Sequence, residues 1–210
     1  MSDFGSLTPR VKICGLMRPE DAVLAVELGA THVGCVGAPS SPRCVDAAKA
    51  RAVFDAVGSR AETVFVFKGV TLEGVLRRAR DAGAHSVQLY DLAEDERVSI
   101  EEEGFRVYRV HNLSPRVARL PELVPEPSET RPAILDVGGG GSGKRFDWSL
   151  LGERAPFATF IAGGVRPDNV RRLMRYAPYG IDLASGVESA PGIKDESLMR
   201  SLFIEMRGAS

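Results

Sequence analysis

The sequence lacks the features that mark membrane and secreted proteins. No run of 18 or more uncharged apolar residues occurs in its 210 residues, so no membrane-spanning helix is predicted. Residues 1–10 contain no apolar segment after a basic start and do not resemble a signal peptide. We therefore expect a soluble, cytoplasmic protein.

Charge of one sign is also missing. The 27 Lys and Arg residues are balanced by 28 Asp and Glu residues, a net charge of -1, which disfavours nucleic acid as a partner. The few cysteines are odd in number and lack Cys-x-x-Cys spacing, so neither a disulfide framework nor a zinc site is predicted. The histidines show no metal-ligand spacing, and we expect no metal. These residues are Cys14, Cys35, Cys44, His32, His85 and His111.

What the sequence has instead is a regular alternation of short β-branched runs with helical stretches. Helix ends are marked by a first-turn Pro19 with a stop at Gly29, and by a Thr71 N-cap with a stop at Gly83. Another helix is predicted to open at 167–169, and those after the fourth to sixth strands are predicted to be short or absent. The predicted strands are 11–14, 32–36, 63–67, 86–90, 105–110, 133–137, 158–161 and 180–183.

Eight strands in 210 residues leave about 26 residues for each strand and helix, near the minimum for a right-handed βαβ unit. An open doubly wound sheet and a closed (β/α)₈ barrel both fit this pattern. Closure leaves no exposed sheet edge, so we favour a single-domain (β/α)₈ TIM barrel over residues 1–210. Residues 1–10 are expected to form a disordered leader, and 120–132 a loop.

In such a barrel the ligand site lies at the carboxyl ends of the strands, where Cys14, Asp136 and Asp182 fall. Lys12 and Cys14 share the inward face of the first strand, and a nearby ammonium favours the thiolate form of a cysteine. The alternative for Cys14 is an inert buried thiol. Burial of Asp136 would raise its pKa and suit a general acid, whereas the alternative is a turn carboxylate; Asp182 has the same two interpretations.

Glycine-rich segments follow the last three strands. The segment 138–145 contains Gly-x-Gly-x-x-Gly without the helix and acid that a dinucleotide site needs, and Arg145 replaces the hydroxyl residue of a P-loop. Its glycines, Gly141 among them, either expose N–H groups to an anion or form a flexible loop. The paired clusters after strands seven and eight favour a phosphate site. Its candidate residues are Gly163, Gly164, Ser185 and Gly186.

Five motifs resemble phosphoribosylanthranilate isomerase of tryptophan biosynthesis, and they run in order along nearly the whole chain. They are Lys-Ile-Cys-Gly-Leu at 12–16, Ala-Pro-Ser-Ser-Pro-Arg at 38–43, Gly-Gly-Ser-Gly-Lys-Arg-Phe-Asp-Trp at 140–148, Ala-Gly-Gly at 162–164 and Ser-Gly-Val-Glu at 185–188. The resemblance implies a (β/α)₈ barrel that performs a cofactor-free Amadori rearrangement on a small phosphoribosyl substrate, as a monomer or homodimer.

The resemblance also implies roles for single residues. Cys14 would be the general base and Asp136 the general acid, while the glycine loops would hold the phosphate. Arg43, which follows strand two, would bind the anthranilate carboxylate, although a solvated loop arginine is the alternative. Asp182 would orient the anthranilate, and Lys12 is a further candidate for substrate binding.

Four positions depart from the family pattern. Cys35 and Gly37 stand where aromatic residues are usual, so we expect the aromatic wall near the anthranilate to be missing. Tyr90 replaces a histidine, and Lys68 replaces an asparagine or glutamine. Two other functions stay open: the related aminoimidazole isomerase of histidine synthesis, which uses an aspartate in the first strand, and a non-catalytic phosphosugar-binding barrel.

Overall fold

The computed structural model describes residues 8–90, 93–140 and 143–208. Its barrel strands are β1 (Arg10–Ile13), β2 (His32–Val36), β3 (Glu62–Phe67), β4 (Ser86–Leu89), β5 (Arg106–Leu113), β6 (Ala133–Val137), β7 (Thr159–Ile161) and β8 (Gly180–Leu183). Its helices are α1 (Pro19–Leu28), α2 (Ala47–Val57), α3 (Leu72–Ala82), α4 (Glu94–Glu102), α5 (Val170–Met174) and α6 (Glu196–Arg207). A two-stranded hairpin, β9 (Glu188–Ala190) and β10 (Ile193–Lys194), lies between β8 and α6.

The eight strands close into a parallel barrel in sequence order, with β8 paired to β1. The predicted (β/α)₈ barrel is therefore confirmed. The division into one domain and a leader stays a prediction, because 1–7 lie outside the described residues; β1 already includes Arg10, the last residue of the expected leader.

Local chemistry places the helix ends where the sequence predicts them. Pro19 occupies the first turn of α1, and the Thr71 side chain accepts a hydrogen bond from the N–H of Gly74 at the start of α3. Gly83 ends α3 in the left-handed conformation, with φ 64°. The helix after β7 is shorter than predicted and begins only at Val170, because Asn169 has a non-helical φ of -129°.

The connections around β5 and β6 contain little helix. No helix occurs among the described residues between β5 and β6, a proline-rich stretch in which helix hydrogen bonds cannot propagate. After β6, the described residues form only a 3₁₀ turn at Trp148–Leu151 before β7. The short or absent helices predicted after strands five and six are thus found, whereas α4 is a regular helix of nine residues.

Apolar side chains pack in two separate layers. A large shell lies between the strands and the helices and includes Val11 and Ile13 of β1. A smaller cluster fills the barrel interior, among it Val64, Tyr108 and Phe160. This division leaves the inward face of β1 for polar side chains, as the alternation of the strand predicts.

Candidate active site

One cavity of about 200 Å³ opens at the carboxyl ends of the strands. Most of the residues predicted for the site line it. These residues are Cys14, Arg43, Asp136, Gly163, Gly164, Asp182, Ser185 and Gly186. Lys12 does not line the cavity, and Gly141 lies outside the described residues.

Lys12 is a fully buried cation under the cavity. Its Nζ donates to both carboxylate oxygens of Asp182 at 3.0 Å, across the β1–β8 pair. Burial opposes the charge, but the carboxylate of Asp182 and the Cys14 thiol outweigh it and raise the pKa of Lys12. A Cβ on Gly34 of β2 would lie 3.2 Å from this Nζ and 3.0 Å from Cys14 Sγ, so glycine leaves room for both groups. Lys12 therefore contacts Asp182 and lies beside Cys14, and its role in substrate binding stays a prediction.

The Cys14 thiol is only 7% exposed. Burial raises its pKa above the ordinary 9.0, and the nearby Lys12 opposes this rise without cancelling it. Lys12 thus favours the thiolate, as expected, but its effect on the pKa is smaller than that of burial. The charge of Asp182, which is paired with Lys12, adds to the rise.

Asp136 lies on another side of the cavity, at the end of β6, and is 3% exposed. Burial raises its pKa above the ordinary 3.8, as the sequence predicted. The hydroxyl of Tyr90 donates to Oδ2 at 2.9 Å and works in the opposite direction, because it stabilises the ionised form. The carboxyl is thus both desolvated and held in place.

Polar residues that follow β3 or belong to β4 and its end also line the cavity, although they were not predicted as site residues. Tyr90 and Gln88 project inward from β4 and its end, and Lys68 follows β3; all three line the cavity. Gln88 is 2% exposed, and its Oε1 has no hydrogen-bond partner among the described residues. The sequence could have identified Gln88 and Tyr90, because side chains alternate along a strand and these two lie on one face of β4.

The glycine loops form one wall of the cavity by packing backbone against backbone. Gly164 has φ 63°, and a Cβ there would lie 2.8 Å from the carbonyl oxygen of Gly143 in the loop after β6. A Cβ on Gly186 would overlap the carbonyl oxygen of Val165. Only glycine allows the three loops to approach so closely, which brings main-chain groups rather than side chains to the cavity.

Arg43 is not the solvated loop arginine that the sequence left open, since it is only 8% exposed. Its Nε and Nη2 form a forked ion pair with Glu188, the shortest contact being 2.6 Å. The buried Nζ of Lys194 donates to the same carboxylate at 2.8 Å and to the carbonyl oxygens of Cys14 and Ala184. Glu188 and Lys194 were not predicted from the sequence. They link Arg43 to the main chain at the ends of β1 and β8.

Cys35 and Gly37, the two positions that lack the usual aromatic residues, do not face the cavity. Cys35 lies in the shell between strands and helices, and a Cβ on Gly37 would lie 2.7 Å from the Phe67 ring in that same shell. From β2 and its loop, the cavity is lined instead by Val36 and Ala38, among others. The two departures therefore change the packing behind β2 and not the cavity wall.

The described residues contain no group of three or more His, Cys, Asp and Glu side chains arranged to hold a metal ion. Nor is any helix in the described part of the chain long and apolar enough to cross a membrane. Fold and site together define a (β/α)₈ barrel with a polar ligand cavity at the carboxyl ends of its strands, flanked by a thiol, a carboxyl and glycine loops.

Comparison with known proteins identifies the family. The model of the N-(5'-phosphoribosyl)anthranilate (PRA) isomerase family matches residues 11–205, and the chain belongs to this family. It is 38% identical to the N-(5'-phosphoribosyl)anthranilate isomerase of Thermotoga neapolitana, covering 95% of this chain and 98% of that protein. The isomerase of Rhodopseudomonas palustris is also 38% identical, over 95% and 96% of the two chains.

Longer relatives and solved structures agree with this assignment. The chain is 35% identical to the tryptophan biosynthesis protein TrpCF of Yersinia pestis, but spans only 41% of its length. The crystal structure of phosphoribosyl anthranilate isomerase from Thermus thermophilus is 33% identical, with a TM-score of 0.85 over 96% of this chain and 100% of that one. The Thermotoga maritima structure is 30% identical, with a TM-score of 0.80 over 95% and 99%.

Proposed function

We propose that this protein catalyses the Amadori rearrangement of N-(5-phosphoribosyl)anthranilate to 1-(2-carboxyphenylamino)-1-deoxyribulose 5-phosphate in tryptophan biosynthesis. The observation that carries the proposal is the cavity itself. It holds a thiol and a desolvated carboxyl as the proton-transfer pair and, beside them, main-chain loops suited to a phosphate. Membership of the family supplies the substrate.

Asp136 acts as the general acid. Its raised pKa favours the protonated carboxyl, which delivers a proton to the ring oxygen of the ribose. Breaking the bond between that oxygen and C1 opens the furanose and leaves a protonated Schiff base between C1 and the anthranilate nitrogen. The carboxylate that remains is stabilised by the hydrogen bond from Tyr90.

Cys14 acts as the general base in the second step. Its thiolate removes the proton from C2, the electron pair moves to form a C1–C2 double bond, and the Schiff base becomes an enolamine. Tautomerisation of the enolamine then gives the ketone. One proton is given and one is taken, so the rearrangement is balanced without a redox cofactor, and we propose none.

The remaining residues bind the substrate. The main chain at Gly163–Gly164 and Ser185–Gly186 holds the phosphate, and Gly141 is proposed for the same role. Arg43 contacts the anthranilate end with N–H groups that Glu188 does not engage. Asp182, fixed by Lys12, orients the anthranilate side of the substrate.

Turnover of purified protein tests the proposal. Wild-type protein is expected to convert phosphoribosylanthranilate and to complement a cell that lacks this isomerase, whereas Cys14→Ala and Asp136→Asn each lose at least about 10²-fold in kcat/KM. Full activity of both variants would refute the mechanism. Binding without product would indicate a non-catalytic barrel, and preference for the aminoimidazole substrate would indicate the histidine-pathway reaction.

A further inference from the structure

Lys68 places an ammonium group on the cavity wall, where no carboxylate from the described part of the chain forms an ion pair with it. It follows β3 and lines the cavity, and no carboxylate of the described residues lies within ion-pair distance of its Nζ. Lys12 and Arg43, two other cations near the cavity, are different. Lys12 is bound by Asp182, and Arg43 is bound by Glu188.

The surroundings of Lys68 support the ammonium without compensating its charge. Its Nζ lies 5.2 Å from the centre of the Tyr90 ring, within the range of a cation–π contact. On the other side is the backbone of Gly139, where a Cβ would stand 2.7 Å from the Nζ. Glycine at this position, with φ 78°, therefore makes space for the ammonium.

The topology of the barrel places the end of β3, which Lys68 follows, across from the glycine loop after β7, while the Nζ itself lies against Gly139 of the loop after β6. In the closed order of eight strands, β3 stands opposite β7, the strand that leads into Gly163–Gly164. Cys14 at the end of β1 and Asp136 at the end of β6 lie between these two sides. A ligand whose phosphate occupies the loops and whose sugar lies between the acid and the base extends its other end toward β2 and β3.

We infer that Lys68 is a specificity-determining residue that binds the carboxylate of the aromatic amine, next to Arg43. The inference rests on the proposed function, which puts an anthranilate at that end of the ligand. Arg43 offers hydrogen bonds, but most of its charge is already paired with Glu188. Lys68 supplies the uncompensated charge that distinguishes an anthranilate from an uncharged aromatic amine.

Two ligands and two variants test this inference. The ligands are reduced 1-(2-carboxyphenylamino)-1-deoxyribulose 5-phosphate and its counterpart without the carboxyl group, with Kd measured by calorimetry. Lys68→Met removes the charge from the cavity, and Lys49→Met removes the same charge from the exposed surface of α2 as a matched control. Lys68→Arg tests whether any cation at this position suffices.

We expect Lys68→Met to reduce the preference for the carboxylated ligand by about 10- to 100-fold, as for loss of a charge-assisted hydrogen bond. Affinity for the ligand without the carboxyl group should change less than about 3-fold, Lys49→Met should behave as wild type, and Lys68→Arg should restore most of the preference. The inference is overturned if Lys68→Met keeps the wild-type preference or weakens both ligands equally. Failure of the proposed function looks different, because wild-type protein would then form no product, whether or not it binds the two ligands.

Discussion

Titration with pH should show that the proton shared by Cys14 and Asp136 prefers the thiol. This is the opposite of the arrangement that the proposed reaction uses. The proposed reaction needs Cys14 as thiolate and Asp136 as neutral carboxyl. Burial raises the pKa of the thiol above 9.0 and that of the carboxyl above 3.8. Both groups are shifted in the same direction from ordinary values of 9.0 and 3.8, so we expect a single shared proton to prefer the sulfur.

The size of the effect follows from this order of the two pKa values. At pH values between the two pKa values, Cys14 and Asp136 together carry one proton. The fraction of molecules with this proton on Asp136 falls tenfold for each unit by which the two pKa values differ. The kcat/KM profile should still be bell-shaped. Its acidic limb reports the loss of a proton from Asp136, and its alkaline limb, above pH 9, reports the loss of the Cys14 proton.

Two measurements together decide the assignment. The first is kcat/KM between pH 4 and about 11, and the second is the rate of alkylation of Cys14 by iodoacetamide over the same range. Cys44 is half-buried and would also react, so both are measured in a Cys44→Ser background, while Cys35 is fully buried. The midpoint of alkylation should coincide with the alkaline limb. A thiol that titrates together with the acidic limb would refute this reasoning.

Three further outcomes are expected. Tyr90→Phe keeps the ring but removes the hydrogen bond that stabilises ionised Asp136, so the acidic limb of kcat/KM should rise by about one pH unit; an unmoved limb contradicts this role. Burial lowers the pKa of His32 from 6.5 to about 3, so the unfolded chain takes up a proton that the folded protein rejects. As the pH is lowered below 6.5, the free energy of unfolding should therefore fall more steeply in wild type than in His32→Gln. The difference should be about 1.4 kcal/mol per pH unit, measured by urea unfolding. Gly164→Ala places a Cβ against the Gly143 carbonyl oxygen at a positive φ. It should cost about 1–3 kcal/mol of stability and weaken inhibition by inorganic phosphate. Gly58→Ala, whose Cβ meets nothing at a similar φ, is the control for backbone strain alone.

The fold was predictable because its signals are local. Each strand is a short β-branched run, and the stops at Gly29 and Gly83 and the cap at Thr71 each act within a few residues of the helix they bound. Counting eight such units then limits the architecture to very few choices. The helix after strand seven was predicted, but not its late start at Val170. A proline near a helix start shows only that a helix is tolerated there.

The site was predictable only where position along a strand decides the outcome. Cys14 and Asp136 were found because they end strands. The partner of Lys12 is Asp182, 170 residues away. No local sequence pattern reveals this ion pair beside the Cys14 thiol. Strand β2 is buried on both faces, so the sequence does not tell which face holds Cys35.

The ion pairs around β1 and β8 have a consequence for synthesis of the chain. The Lys12 ammonium leaves the ribosome 170 residues before its partner Asp182, and the Cys14 carbonyl oxygen leaves 180 residues before Lys194. The earlier strands have neighbours to pair with as they emerge, but a buried Lys12 has no counter-charge until β8 is added. Catalytic competence should therefore arise in one late step, when the hairpin carrying Lys194 joins the last strand to the first, and a nascent chain stalled before residue 194 should be inactive however much of the barrel has formed.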